Sequence, residues 1–103
     1  MAVELLWTPA ADEDLLEIYT YIALENPDAA DRIMDRLRAA AELLSHHPRL
    51  GQRRPEIRPS LRMMTDWPYL LLYETLPEDD AGPVASVVIV RAVDGRRDLK
   101  ILF

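Results

Sequence analysis

The sequence has no cysteine. Disulfides, thiolate nucleophiles, Cys-ligated zinc and iron–sulfur clusters are therefore excluded. Glycine is scarce, three residues in 103, and the three are scattered, so no Gly-rich loop exists to cradle a phosphate. Long apolar runs are missing too. Val87-Val88-Ile89-Val90 is typical, far short of the roughly 20 residues that span a bilayer. Residues 1–7 carry a Glu within a short apolar stretch and no basic residue before it. That is not the pattern of a signal peptide, and the expected compartment is the cytoplasm, with no membrane partner. Histidine is confined to His46 and His47. Adjacent residues project in different directions on a helix, so they cannot make an i,i+4 metal pair; they suit a helix C-terminus instead. No Gly-x-Ser-x-Gly elbow is present, and Ser45, Ser60 and Ser86 have no histidine and acid in a recognisable arrangement. Neither a metal nor a cofactor is expected.

What is present is a globular composition: half the residues are apolar and 29% are charged. A chain of this length is expected to form one domain over 1–103 with a small core. Eighteen acids outweigh twelve bases, for a net charge of −6. That argues against direct DNA binding, which depends on neutralising phosphates. The balance is uneven along the chain. Residues 1–47 hold ten acids and three bases, whereas residues 48–103 hold eight acids and nine bases. Every base but Lys100 is arginine, and arginines crowd together at 49, 53, 54, 58 and 62 and again at 91, 96 and 97. The planar guanidinium fork suits carboxylates and desolvated interfaces, so these residues read either as a solvated charged surface or as a face that meets an acidic partner.

Local signals divide the chain into elements. Residues 3–7 form a short apolar segment of strand character. Thr8-Pro9 is a cap followed by a first-turn proline, with Asp12, Glu13 and Asp14 near the positive end of the helix dipole. Ala11, Leu15, Ile18 and Ile22 share one helical face, predicting a helix over 9–24. Asn26-Pro27 repeats the start signal. Ala30, Ile33, Leu37, Ala40 and Leu44 then form a stripe that predicts a second helix ending near His46, before Pro48 and Gly51. So short a link makes the two helices an antiparallel hairpin. A connector over 49–60 follows, then strands over 61–66, 69–75 and 84–93, with a polar turn at 76–83. The acidic run Glu78-Asp79-Asp80 reads as a soluble turn. The tail, 99–103, is mostly apolar. The fold class is α+β: an N-terminal strand, a two-helix antiparallel hairpin, then a three-stranded antiparallel meander.

The strands carry a functional clue. By strict alternation, one face of the last strand holds Ala85, Val87, Ile89, Arg91 and Val93, and the other Val84, Ser86, Val88, Val90 and Ala92. Both are largely apolar, and the preceding strand is similar. One helical hairpin covers one face of a small sheet. The other needs the connector and tail, or another chain. Arg91 is the odd residue on its face, and a guanidinium there needs an acid or a carbonyl cluster beside it. Glu56, Arg62 and Arg91 are also spaced so that a meander could gather them, giving a general base with two phosphate clamps suited to RNA cleavage, or merely an ion pair at the sheet edge.

The run Ala11-x-x-Asp14-Leu15-x-x-Ile18-x-x-Tyr21-Ile22, then Asn26-Pro27-x-Ala29-Ala30, then Leu44-x-x-x-Pro48-x-x-Gly51 resembles the helical hairpin of ParE toxins in the RelE/ParE superfamily. Arg54-Pro55-Glu56, Leu61-Arg62, Tyr69-Leu70-x-x-Tyr73 and Arg91-Ala92-Val93-x-Gly95-Arg96-Arg97-Asp98 continue the likeness in the same order over nearly the whole chain. The departure is Asp94, where the family frequently has a His. The resemblance implies a toxin of a type II toxin–antitoxin module, able to arrest growth and stabilise plasmids. It implies a ParD-like antitoxin forming a hetero-oligomer with it, and DNA gyrase as target. The residues expected to meet the antitoxin are Arg53, Arg54, Arg58, Arg62, Tyr73, Arg91, Arg96 and Arg97. RelE-type relatives are instead metal-independent, ribosome-dependent endoribonucleases, and on that alternative Glu56, Arg62 and Arg91 are the catalytic candidates. A degenerate, non-toxic antitoxin-binding protein is a third reading. The tail lacks the Tyr or His that the ribonucleases carry for acid–base work, and the chain is acidic where they are basic. Both features favour a binding toxin over an enzyme.

Overall fold

The computed structural model describes residues 3–96. It follows the predicted order, with strand β1 (Glu4–Trp7), helices α1 (Pro9–Ala23) and α2 (Pro27–His46), and strands β2 (Gln52–Arg53), β3 (Arg62–Asp66), β4 (Tyr69–Leu76) and β5 (Ser86–Asp94). The helix starts are set by their caps. Thr8 accepts a hydrogen bond from the Ala11 amide at 3.1 Å and Asn26 one from the Ala29 amide at 3.0 Å, each with proline at the next position. These side chains satisfy amides that a helix start leaves without partners. The expected apolar tail at 99–103 lies outside the described residues.

The three predicted strands form the antiparallel meander β3–β4–β5. Two strands extend it, for the sheet order β1-β5-β4-β3-β2. β1 runs parallel to β5, with Glu4 opposite Ser86 and Trp7 opposite Ile89. β2, a two-residue strand inside the connector, pairs antiparallel with β3. A parallel partner requires a long connection, and here everything from α1 to β4 lies between β1 and β5 in the chain, the helical hairpin carrying it from one sheet edge to β2 at the other.

The hairpin lies on one face of the sheet. Ala11, Leu15, Met34, Leu37, Ala41 and Leu44 pack there against Leu71, Tyr73, Val87, Ile89 and Ala92. Leu37, Leu44, Leu71 and Ile89 are withdrawn from solvent completely, and burial of each such side chain contributes about 1.5–3 kcal/mol. On the opposite face the connector folds back, so that Ile57 and Leu61 cover Leu70, Leu72 and Val93. Cover stops there. Val88 and Val90 are only half-buried, and Leu6 and Leu76 remain 40% and 45% exposed. The described residues thus shield one end of the second face and leave the other open.

Strict alternation fails in β5. The pairing shifts between Leu72 and Tyr73: Tyr73 faces Ile89, whereas Leu72 faces Arg91, leaving Val90 as the extra residue of a bulge. Ala92, not Arg91, therefore follows Ile89 into the helix-covered core, and Val93 joins the other face. Arg91 does not occupy the apolar row that alternation assigns to it.

Candidate partner-binding site

The arginines of the second half were candidates for an acidic partner or for catalysis. The structure gives those within the described residues partners in this same chain, acids for all but Arg49, which bonds backbone carbonyls. Arg91 meets the buried Asp14 of α1 in a two-point bond: Nε donates to Oδ2 at 2.7 Å and Nη2 to Oδ1 at 2.8 Å. Asp14 Oδ2 also accepts the Ala92 amide at 3.0 Å. The bulge puts Ala92 on the helix-covered face, and its amide meets Asp14 there. Hydrogen bonding to Asp14 raises the Arg91 pKa above its usual value, against the opposing effect of burial. The acid that Arg91 was expected to need is there. It was missed as a partner because Asp14 reads as a first-turn acid complementing the helix dipole. The available signal was its position between Ala11 and Ile18, on the same stripe as the buried Leu15.

A second cluster gathers at the sheet's far edge. Arg62 of β3 has a side chain only 8% exposed. Its Nη1 donates to the Gly51 carbonyl at 2.9 Å and its Nη2 to Asp80 Oδ1 at 3.1 Å. Arg53 of β2 donates from Nε to the same Asp80 oxygen at 2.8 Å, and from Nη2 to the Glu78 carbonyl at 2.6 Å. Arg49 reaches the same loop through the carbonyls of Asp79, at 3.1 Å, and Gly82, at 2.8 Å. Three arginines thus converge on the 78–82 turn between β4 and β5. The Arg53 hydrogen bond and charge hold the Asp80 carboxyl below its ordinary pKa of 3.8, helped by Arg62 and Arg49.

The remaining candidates are dispersed. Arg54 pairs with Glu56 within the connector. Arg58 pairs with Glu74 of β4, which also accepts from the Ser60 hydroxyl at 2.7 Å. Arg96 pairs with Asp94, which raises the arginine's pKa through its hydrogen bond. Arg97 lies outside the described residues. Tyr73, expected on the partner surface, is fully buried. Its hydroxyl donates to the Pro48 carbonyl and accepts from the Gly51 amide, both at 2.8 Å. A Cβ at Gly51 would lie 2.6 Å from the Tyr73 ring and 2.8 Å from the Met63 carbonyl, so only glycine fits there. Glu56, Arg62 and Arg91 direct their hydrogen bonds to three separate places, Arg54, the Gly51–Asp80 cluster and Asp14.

What the surface offers is therefore ion pairs open to exchange and an apolar strip. The strip is formed by Leu6, Val88, Val90 and Leu76, and the last three line an open cleft of about 570 Å³ together with Arg58, Glu74 and Arg91. Among the described residues there is no group of three His, Asp or Glu side chains able to hold a metal. None of the described helices is long and apolar enough to cross a membrane.

The family model for the ParE toxin of the type II toxin–antitoxin system parDE matches residues 5–99. The chain belongs to the ParE toxin family. Toxin ParE3 of Caulobacter vibrioides is 38% identical over 66 residues, a stretch covering 64% of this chain and 59% of ParE3. The protein named Y4kP of Sinorhizobium fredii is 38% identical over 69 residues, covering 65% of this chain and 70% of its own length. In three dimensions the chain resembles a solved structure from the chromosomal ParDE system of P. aeruginosa. The TM-score is 0.70 at 25% identity, covering 90% of this chain and 96% of that one. The RelBE2 toxin–antitoxin complex of Mycobacterium tuberculosis shares the fold at TM-score 0.57, with 23% identity over 91% of this chain and 99% of that one. The α+β arrangement of this ParE-family toxin is thus that of the superfamily its residues resembled.

Proposed function

We propose that this ParE-family toxin acts in the cytoplasm by binding DNA gyrase, and that a ParD-like antitoxin neutralises it in a hetero-oligomer. The observation that carries the antitoxin half is the end of the second sheet face that the described residues leave uncovered. Leu6 and Leu76 are 40% and 45% exposed there, beside Val88 and Val90 and next to the Arg58–Glu74 pair. An apolar strip rimmed by exchangeable charges fits an amphipathic segment of another polypeptide. The engagement of Arg62 and Arg91 by internal acids, away from Glu56, supports binding over RNA cleavage. Gyrase as the target rests on what the ParE resemblance implies, and membership of the ParE toxin family is consistent with it.

Two measurements test this. Expressed alone in a bacterium, the chain is expected to stop growth with DNA-damage signalling and filamentation, and the purified protein to inhibit supercoiling by gyrase. Arrest with cleaved messenger RNA and unaffected supercoiling would move the assignment to a ribonuclease. No arrest from a folded chain would leave an antitoxin-binding protein without toxicity. Separately, the product of the adjacent short reading frame is expected to co-purify with the chain. Val88→Asp on the open strip should weaken that capture at least about tenfold, the range of a well-packed interface position.

A further inference from the structure

The 78–82 turn is an exposed loop, yet it holds three arginines. Asp80 is 74% exposed and still serves both Arg53 and the nearly buried Arg62. The neighbouring carbonyls of Glu78, Asp79 and Gly82 accept from Arg53 Nη2 and from Arg49 Nε and Nη2. Such a set of contacts, one carboxylate flanked by peptide carbonyls, is what an acidic stretch of polypeptide presents; a phosphodiester offers no such row of carbonyls. We propose that the 78–82 turn is an intramolecular strap occupying an acidic-peptide site formed by Arg49, Arg53 and Arg62, and that an acidic segment of a partner polypeptide displaces it.

Two physical points support exchange. Pairs as exposed as Arg53–Asp80 are weakly held and give way readily. Arg62 differs: it is withdrawn from water, so lifting Asp80 leaves a guanidinium that needs a new anion. The strap therefore opens when another carboxylate arrives and stays shut otherwise. The displacing segment belongs to the antitoxin only if the reading above holds; the strap itself stands on its own contacts.

The chain's lack of cysteine allows a direct test. A nitroxide attached at Ala81→Cys in the otherwise unaltered full chain reports the strap alone. Adding N-acetylated hexaglutamate is expected to mobilise the label, and high salt to suppress the response. Asp80→Asn should bind hexaglutamate roughly fivefold more tightly than the unaltered chain, the effect of removing one competing exposed charge pair. Adding Arg53→Ala to Asp80→Asn should cancel the gain. A label unmoved at saturating peptide, or equal affinities with and without Asp80, would overturn the strap. Were hexathymidylate to mobilise the label and hexaglutamate not, the ligand would be a phosphodiester and the peptide assignment would fall. If Asp80→Asn does not fold, the label measurement decides alone. A strap that answers hexaglutamate in a chain capturing no antitoxin keeps this inference and removes the earlier reading. Antitoxin capture with an unmoved label does the reverse.

Discussion

Arg91 and Asp14 show why a pair far apart in sequence is hard to foresee and easy to test. They lie 77 positions apart, and the two bonds between them are 2.7 and 2.8 Å. Arginine on an apolar strand announces that an acid must be near, but nothing in the spacing says which of the chain's 18 acids it is. Removing one partner strands the other. Asp14→Ala is expected to cost about 3 kcal/mol, because both the guanidinium and the Ala92 amide lose their acceptor. Replacing both partners, Asp14→Ala with Arg91→Leu, should recover most of the loss and leave only the unpaired amide, worth about 1–2 kcal/mol. Urea unfolding of the two variants checks this. A double variant as unstable as Asp14→Ala would mean that the pair is not what Asp14 contributes.

At the level of elements, the caps and the antiparallel meander were legible, and the partners of the two short strands were not. Thr8-Pro9 and Asn26-Pro27 mark the helix starts in the sequence alone, and the predicted ends of 24 and 46 fall within one residue of Ala23 and His46. Local hydrogen bonds and strands joined by short turns write themselves into the sequence; the partner of a short strand far away in the chain does not. β1 is four residues long and could pair at either sheet edge, and β2 is two residues inside a proline-bearing connector. The bulge at Val90 was invisible for the same reason, since it exists only relative to β4. Thr8 joins the two kinds of information. It caps α1 through its acceptor and, through its hydroxyl proton, bonds the Val90 carbonyl at 2.8 Å. Thr8→Val keeps the shape and removes both bonds, with an expected loss of about 1–2 kcal/mol. Thr8→Ser should retain most of the stability. Hydrogen exchange should locate the loosening in Thr8→Val both in the first turn of α1 and at the bulge; protection lost at α1 alone would reduce Thr8 to a simple cap.

For the whole molecule, the sequence indicated that one hairpin cannot roof both faces of the sheet, and among the described residues the connector through Ile57 and Leu61 supplies part of the missing cover. That closure also determines how the fold responds to pH. The connector's entry is pinned by Tyr73, whose hydroxyl bonds Pro48 and Gly51. Burial raises the Tyr73 pKa above the ordinary 10.0, opposed by the Gly51 amide and the nearby Arg62 charge. Tyr69 is raised as well, first by burial and then by Asp94. A raised phenol favours the folded state while it stays protonated. Its contribution is complete below the unfolded value of 10.0 and is lost as pH rises through the folded one. Lys100 is the chain's single lysine and arginines do not titrate in this range, so tyrosine dominates alkaline behaviour. Stability measured from pH 8 to 12 is therefore expected to hold to about pH 10 and then fall, with phenolate absorbance rising together with loss of the helical signal. In Tyr73→Phe the starting stability should be lower, by about 1–3 kcal/mol for the two lost hydrogen bonds, but the alkaline fall should be much shallower. An equally steep fall in Tyr73→Phe would show that some other group, and not the phenol under the connector, sets the alkaline limit of the fold.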